Sequence, residues 1–137
     1  MILTRTGRRG IRLHISFYYS FFQGDPDRVA FLVKTMASII RATTPTIKYV
    51  FKTVRVEDIT AAYMTIKMEE SVLIEKDLTE ATVSEDAITW TLTQQETLAM
   101  TADKVTIMLN WKLNDGTRGA SVRTALFVED NDKEEVI

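Results

Sequence analysis

At 137 residues, with 45% apolar and 26% charged side chains and a net charge of −2, the chain has the size of one domain and no general attraction to nucleic acid or anionic lipid. Cysteine is absent, which excludes disulfides, thiolate nucleophiles and cysteine-held zinc or iron–sulfur centres. The single histidine, His14, leaves no route to a site with two imidazole ligands, and any Ser–His–Asp triad would have to use it.

The first 35 residues stand apart from the rest. Arg5, Arg8, Arg9, Arg12, Arg28 and Lys34 against Asp25 and Asp27 give this segment +4, so the remainder carries −6. Half of the aromatic residues lie here, together with Gly7, Gly10 and Gly24. A signal peptide is disfavoured: the apolar run Ile15 to Phe22 is short, is interrupted by Ser16 and Ser20, and leads into the turn-forming Gln23-Gly24-Asp25-Pro26. A membrane-spanning helix needs about 20 apolar residues, far more than this run offers. An RNA- or membrane-binding arm is a further reading of the arginine and aromatic content. A second methionine, Met36, opens the patterned region, so residues 1–35 are read as an N-terminal extension, loosely ordered or upstream of the natural start.

Beyond Met36 the apolar spacing has period two, the mark of half-buried strands. Ile47, Tyr49 and Phe51 alternate with Thr46, Lys48 and Lys52. Ala62, Met64, Ile66 and Met68 then alternate with Tyr63, Thr65 and Lys67. Glu69-Glu70-Ser71 reads as a turn, followed by the short run Val72-Leu73-Ile74 up to Lys76-Asp77. Ile88, Trp90 and Leu92 alternate with threonines, and Thr93-Gln94-Gln95-Glu96 has the spacing of a capping box. It predicts one helical turn, held on the core by Leu98 and Met100. The longest alternation is Val105, Ile107, Leu109, Trp111 and Leu113. Asn114-Asp115-Gly116 predicts a hairpin, with Gly supplying positive φ. Gly119 reads as a bulge or flexible flank. A final strand is expected to place Ala120, Val122, Thr124, Leu126 and Val128 on one face. Six or seven short strands with one helical turn predict an all-β, immunoglobulin-like antiparallel β-sandwich over residues 36–130, followed by an acidic tail at 131–137. An unrelated β-barrel is the rival.

No catalytic, metal-binding or cofactor-binding set is expected. The carboxylate pairs Glu69/Glu70 and Glu85/Asp86 could serve acid–base chemistry or a hard cation, but fall in predicted turns where solvated acids are ordinary. Asp115-Gly116-Thr117 lacks the rest of a phosphate or calcium loop. Trp90 and Trp111 could stack a sugar, yet share the register of the apolar faces. The acidic tail reads as solvated, with ordering by a partner as the alternative. More telling, Tyr63, Met108, Ala125 and Phe127 lie opposite the core register of their strands. Tyr63, Met108 and Phe127 are therefore the candidate interaction residues.

Three stretches carry a family resemblance: Ile39 to Tyr49, Ile88 to Leu98 with its Leu-Thr-Gln-Gln-Glu element, and Ile107 to Trp111 continuing through Asn114-Asp115-Gly116-Thr117-Arg118-Gly119-Ala120-Ser121 to Val128-Glu129-Asp130. Together they resemble small proteins of Gram-positive phages and prophages, and are similar to the N-terminal domain of siphophage baseplate upper proteins. The resemblance does not cover residues 1–35. It implies an immunoglobulin-like attachment domain standing alone, without a catalytic site, cofactor or small-molecule substrate. It further implies other phage structural proteins as partners, self-association as a homo-oligomer, and residence in the bacterial cytoplasm during assembly and then in the virion. Neither nucleic acid nor membrane is an expected partner. The resulting expectation is a non-enzymatic tail- or baseplate-associated structural protein; the alternative is a carbohydrate- or cell-surface-binding module.

Overall fold

The alternation sorts the body into two layers, because successive strand residues point to opposite faces and only one face of each sheet can be buried against the other. The computed structural model describes residues 2–6, 12–22 and 25–31 as strands and residues 38–135 in full. Met36, Gln23 and Gly24, on which the expected start and an expected turn depend, lie outside the described residues. The first sheet has six strands: β1 (Ile2–Thr6), β2 (Arg12–Phe22), β3 (Asp25–Phe31), β5 (Thr46–Phe51), β8 (Thr82–Val83) and β9 (Ala87–Thr91). Its order is β1-β2-β5-β9-β8, with β3 also on β2. The second sheet has β4 (Ser38–Ile40), β6 (Ile59–Met68), β7 (Ser71–Asp77), β10 (Lys104–Leu113), β11 (Arg118–Ala120) and β12 (Thr124–Glu129). Its order is β4-β12-β10-β6-β7, with β11 also on β10.

The expected all-β sandwich is the fold, and its sheets are mixed. Most pairs are antiparallel, but β2 lies parallel on β5, from His14 opposite Thr46 to Tyr19 opposite Phe51, and β4 lies parallel on β12. Sheet edges present unpaired backbone groups that must be satisfied. Residues 12–22 fill the edge that β5 would otherwise expose.

The core lies between the layers. Ile47, Tyr49, Ile88 and Trp90 of the first sheet meet Met64, Ile66, Ile107 and Leu109 of the second, all at most 1% exposed. Tyr49 and Trp90 meet edge to face at 6.0 Å, as do Phe51 and Trp111 at 5.4 Å, the geometry that aromatic quadrupoles prefer. The Trp90 indole N–H donates to the Asp77 carbonyl at 2.9 Å, so its burial leaves no donor unsatisfied. Both tryptophans are therefore core residues.

The helical turn α1 (Gln94–Leu98) starts at the expected box. The Thr93 hydroxyl accepts from the Glu96 amide at 3.1 Å, and the Glu96 carboxylate accepts from the Thr93 amide at 2.8 Å. Met100 anchors it as expected, whereas Leu98 is only half-buried and Thr97 takes the inner position. The Thr97 hydroxyl donates to the Thr43 carbonyl and accepts from the Thr43 amide, which no local pattern announces.

The end of the chain also departs from its simple alternation. The expected last strand is broken at residues 121–123, where Ser121 turns inward and its hydroxyl accepts from the Leu109 amide at 2.8 Å. The break leaves Val122 exposed, contrary to the expected core face. Gly119 is neither bulge nor flank: it pairs opposite Trp111, and a Cβ there would lie 2.4 Å from the indole ring. Gly116 has φ +89° and closes the predicted hairpin, its amide donating to the Leu113 carbonyl at 3.0 Å. At the other hairpin, Glu69 (φ 53°) and Glu70 (φ 67°) both take the left-handed region between paired Met68 and Ser71, a type I′ loop built without glycine.

Candidate functional site

The outer face of the second sheet collects the exposed residues that the core register leaves over. Strand pairing sets them in rows running from β12 through β10 and β6 to β7. Phe127 stands beside Lys104. The next row is Ala125, Thr106, Lys67 and Val72. Met108, Thr65 and Glu75 follow, then Ala120, Asn110, Tyr63 and Asp77. Arg118, Lys112 and Ala61 make the last row.

The three residues singled out by sequence thus share one face. Tyr63 is 47% exposed and Phe127 38%, while Met108 is half-buried. They do not form one apolar patch. Tyr63 is a diagonal neighbour of Met108, but Thr106 and Lys104 separate Met108 from Phe127.

Charge on this face is divided by strand. Arg118 and Lys112 border a hollow with Tyr63 and Asn110, and Arg123 borders another with Thr65, Lys67 and Met108. The carboxylates Glu75 and Asp77 occupy the opposite flank, on β7. Asp77 remains an anion: the Thr79 hydroxyl, helped by the Thr79 and Glu80 amides, outweighs desolvation and holds its carboxyl below the ordinary range. Outward parity along β6 and β10 was enough to find Lys67, Lys104 and Lys112. Arg123 was missed because its place depends on the break at residues 121–123.

The other candidates lie elsewhere. Glu85 and Asp86 line a cleft of about 740 Å³ with Arg55 and Glu57, where Arg55 and Glu57 are ion-paired. Glu69 and Glu70 sit at the tip of the β6–β7 hairpin. Among the described residues, no three histidine or acidic side chains gather to hold a metal, and no helix is long and apolar enough to cross a membrane.

The acidic tail is tied to its own body. The Arg41 guanidinium bonds Glu134 at 2.7 Å and donates to the Leu98 carbonyl at 2.9 Å. The Asn131 amide donates to the Arg41 carbonyl, and Gln94 donates to the Glu135 carbonyl. Beside this contact, Lys76 bridges to Glu96 at 3.1 Å. Burial opposes the Glu96 charge, but the Thr93 amide and Lys76 prevail and hold its carboxyl below the ordinary value.

No family model and no curated protein matches the sequence. Among solved structures, the chain is similar to the "N-terminal domain of phage TP901-1 ORF48", with a TM-score of 0.53 and 8% identity, over 85% of this chain and 98% of that one. Since 85% of 137 residues is about 116, and residues 36–137 number 102, the likeness reaches into the N-terminal strands. At that identity it is the fold that the two chains share.

Proposed function

We propose that this chain is a non-enzymatic structural component of a phage or prophage particle, tail- or baseplate-associated, acting through protein–protein contacts. The observation that carries the reading is the fold likeness to nearly the whole of a phage protein domain. A mixed polar and aromatic face on a rigid sheet agrees with it, since exposed aromatic and arginine side chains are what protein interfaces favour. Tyr63, Met108 and Phe127 are the proposed contact residues, and phage structural proteins, further copies of this chain among them, are the partners. The protein would then be made in the bacterial cytoplasm and carried into the virion. The sandwich of residues 36–130 is the proposed folding unit, with β1, β2 and β3 extending its first sheet. Residues 36–137 produced alone should stay folded and lose stability, and an unfolded product would remove that boundary.

The rival reading, a carbohydrate- or cell-surface-binding module, needs exposed rings; Trp90 and Trp111 are buried in the core, which leaves it, among the described residues, Tyr63 and Phe127. Mass spectrometry of purified particles from the phage that encodes the chain tests the main reading. Stoichiometric presence is expected, and it should fall for Tyr63→Ser combined with Phe127→Ser without loss of folding. Particles assembled normally without the protein would end the proposal.

A further inference from the structure

Resting on the reading that the chain works through its outer sheet face, we propose that the occupant of that face is a second copy of this chain. The two copies would be related by a two-fold axis running parallel to the strands between β10 and β6. Two identical faces in contact are related by a dyad lying in the plane between them. Among dyads that keep the strands of the two copies aligned, one runs along the strands and the other across them, and the charge pattern separates the two.

A dyad across the strands would lay each strand on its own copy. Glu75 and Asp77 would then face the acidic flank of the partner, and Arg118 and Arg123 its basic flank. A dyad along the strands exchanges the flanks and keeps the rows. Arg123, bordering the Met108 row, then faces Glu75 at the far end of that same row. Arg118 approaches Asp77, one row away. Only the second arrangement pairs opposite charges, and like charges in apposition oppose association.

The exposed apolar residues fit the same axis, although charge alone selected it. Val72, 57% exposed on β7, would meet Ala125 of its row with Phe127 one row beyond. Along the axis itself, β10 of one copy faces β6 of the other, so Met108 meets Thr65 and Asn110 meets Tyr63. Those central positions carry no charge, and Lys67 faces the uncharged Thr106. Glu129, the carboxylate on the basic flank, lies beyond the Phe127 row and outside the overlap. Four strands spaced about 4.8 Å apart, each of up to ten residues at about 3.3 Å, give roughly 600 Å² per copy, near the low end of specific interfaces. A contact of that size fits a reversible dimer.

Sedimentation velocity of the full chain, over a series from micromolar to millimolar, tests this. The weight-average mass should rise from 15.6 kDa towards twice that value. Glu75→Lys and Arg123→Glu should each weaken the dimer about tenfold or more while leaving the melting temperature unchanged. An equimolar mixture of the two variants should recover the wild-type constant within about threefold, because each reversed charge then faces its opposite across the dyad. A chain that stays monomeric throughout overturns the proposal, as does a dimer indifferent to either reversal or strengthened by Glu75→Lys. Particle incorporation that survives in a strictly monomeric protein would keep the structural reading and remove only the second copy.

Discussion

Along β10 one backbone builds two unlike surfaces. Val105, Ile107, Leu109 and Trp111 point inward and are at most 3% exposed; Lys104, Thr106, Met108, Asn110 and Lys112 point outward, and none is buried. The two sets share strand, twist and hydrogen bonds, so what separates them is the neighbour each face meets. Inward residues are constrained by packing, where a lost methylene opens a cavity. Outward residues are constrained only by water and by partners, and there the aromatic rings and divided charge appear.

The largest test of that contrast is Leu109→Ala. Leu109 is fully buried, and truncation should cost roughly 2–5 kcal/mol in denaturant unfolding. A loss under about 1 kcal/mol would mean the inner face is not the tight layer described. Gly119→Ala comes next, since its methyl would press on the Trp111 ring from across the ladder. Overpacking of this kind costs roughly 1–3 kcal/mol, and tryptophan fluorescence should shift with it.

Glu96→Gln tests the helical turn that closes the end of the sandwich. A carboxyl whose folded value is depressed stabilises the fold above its ordinary value of 4.5, and that contribution is lost as the pH falls through the lower folded value. Melting temperature should therefore drop on acidification below about pH 4.5, and the variant should show a flatter acid limb. An unchanged slope would mean that the Thr93 amide and Lys76 do not favour the charged form.

Glu70→Gly should raise stability by roughly 0.5–1 kcal/mol, because glycine takes the left-handed backbone at φ 67° without the Cβ clash. Destabilisation instead would show that the Glu70 side chain contributes more than its backbone strain costs. Smallest of all, Met108→Ser on the outer face should change stability by no more than about 0.5 kcal/mol. Its effect should appear in association, which the neighbouring Leu109→Ala variant cannot separate from unfolding.

Much of the body could be read residue by residue. The alternations at Ile47–Phe51, Ala62–Met68, Ile88–Leu92 and Val105–Leu113 are strands because period-two burial leaves a one-dimensional trace. The Thr93–Glu96 box and the Asp115-Gly116 turn are equally local. What escaped has long-range causes. β4 and β8, at three and two residues, are too short to show a period. Ser121 breaks the last strand through a bond to Leu109, twelve residues away. Of the candidate face, Tyr63, Met108 and Phe127 could be read from parity, but their order and spacing on the face could not, since strand register is a tertiary property.

The sequence by itself determined which residues of the regular strands face inward, where the Asp115-Gly116 hairpin turns and where the helical turn after Thr93 begins, because each follows from the chemistry of residues within about four positions of one another. Only the tertiary structure decided that β2 lies parallel on β5, that Arg41 holds the acidic tail, and that Arg123 stands across the sheet from Glu75. Those relations join residues far apart in the chain through shared backbone ladders and charge. No local pattern encodes which distant strand will supply the partner.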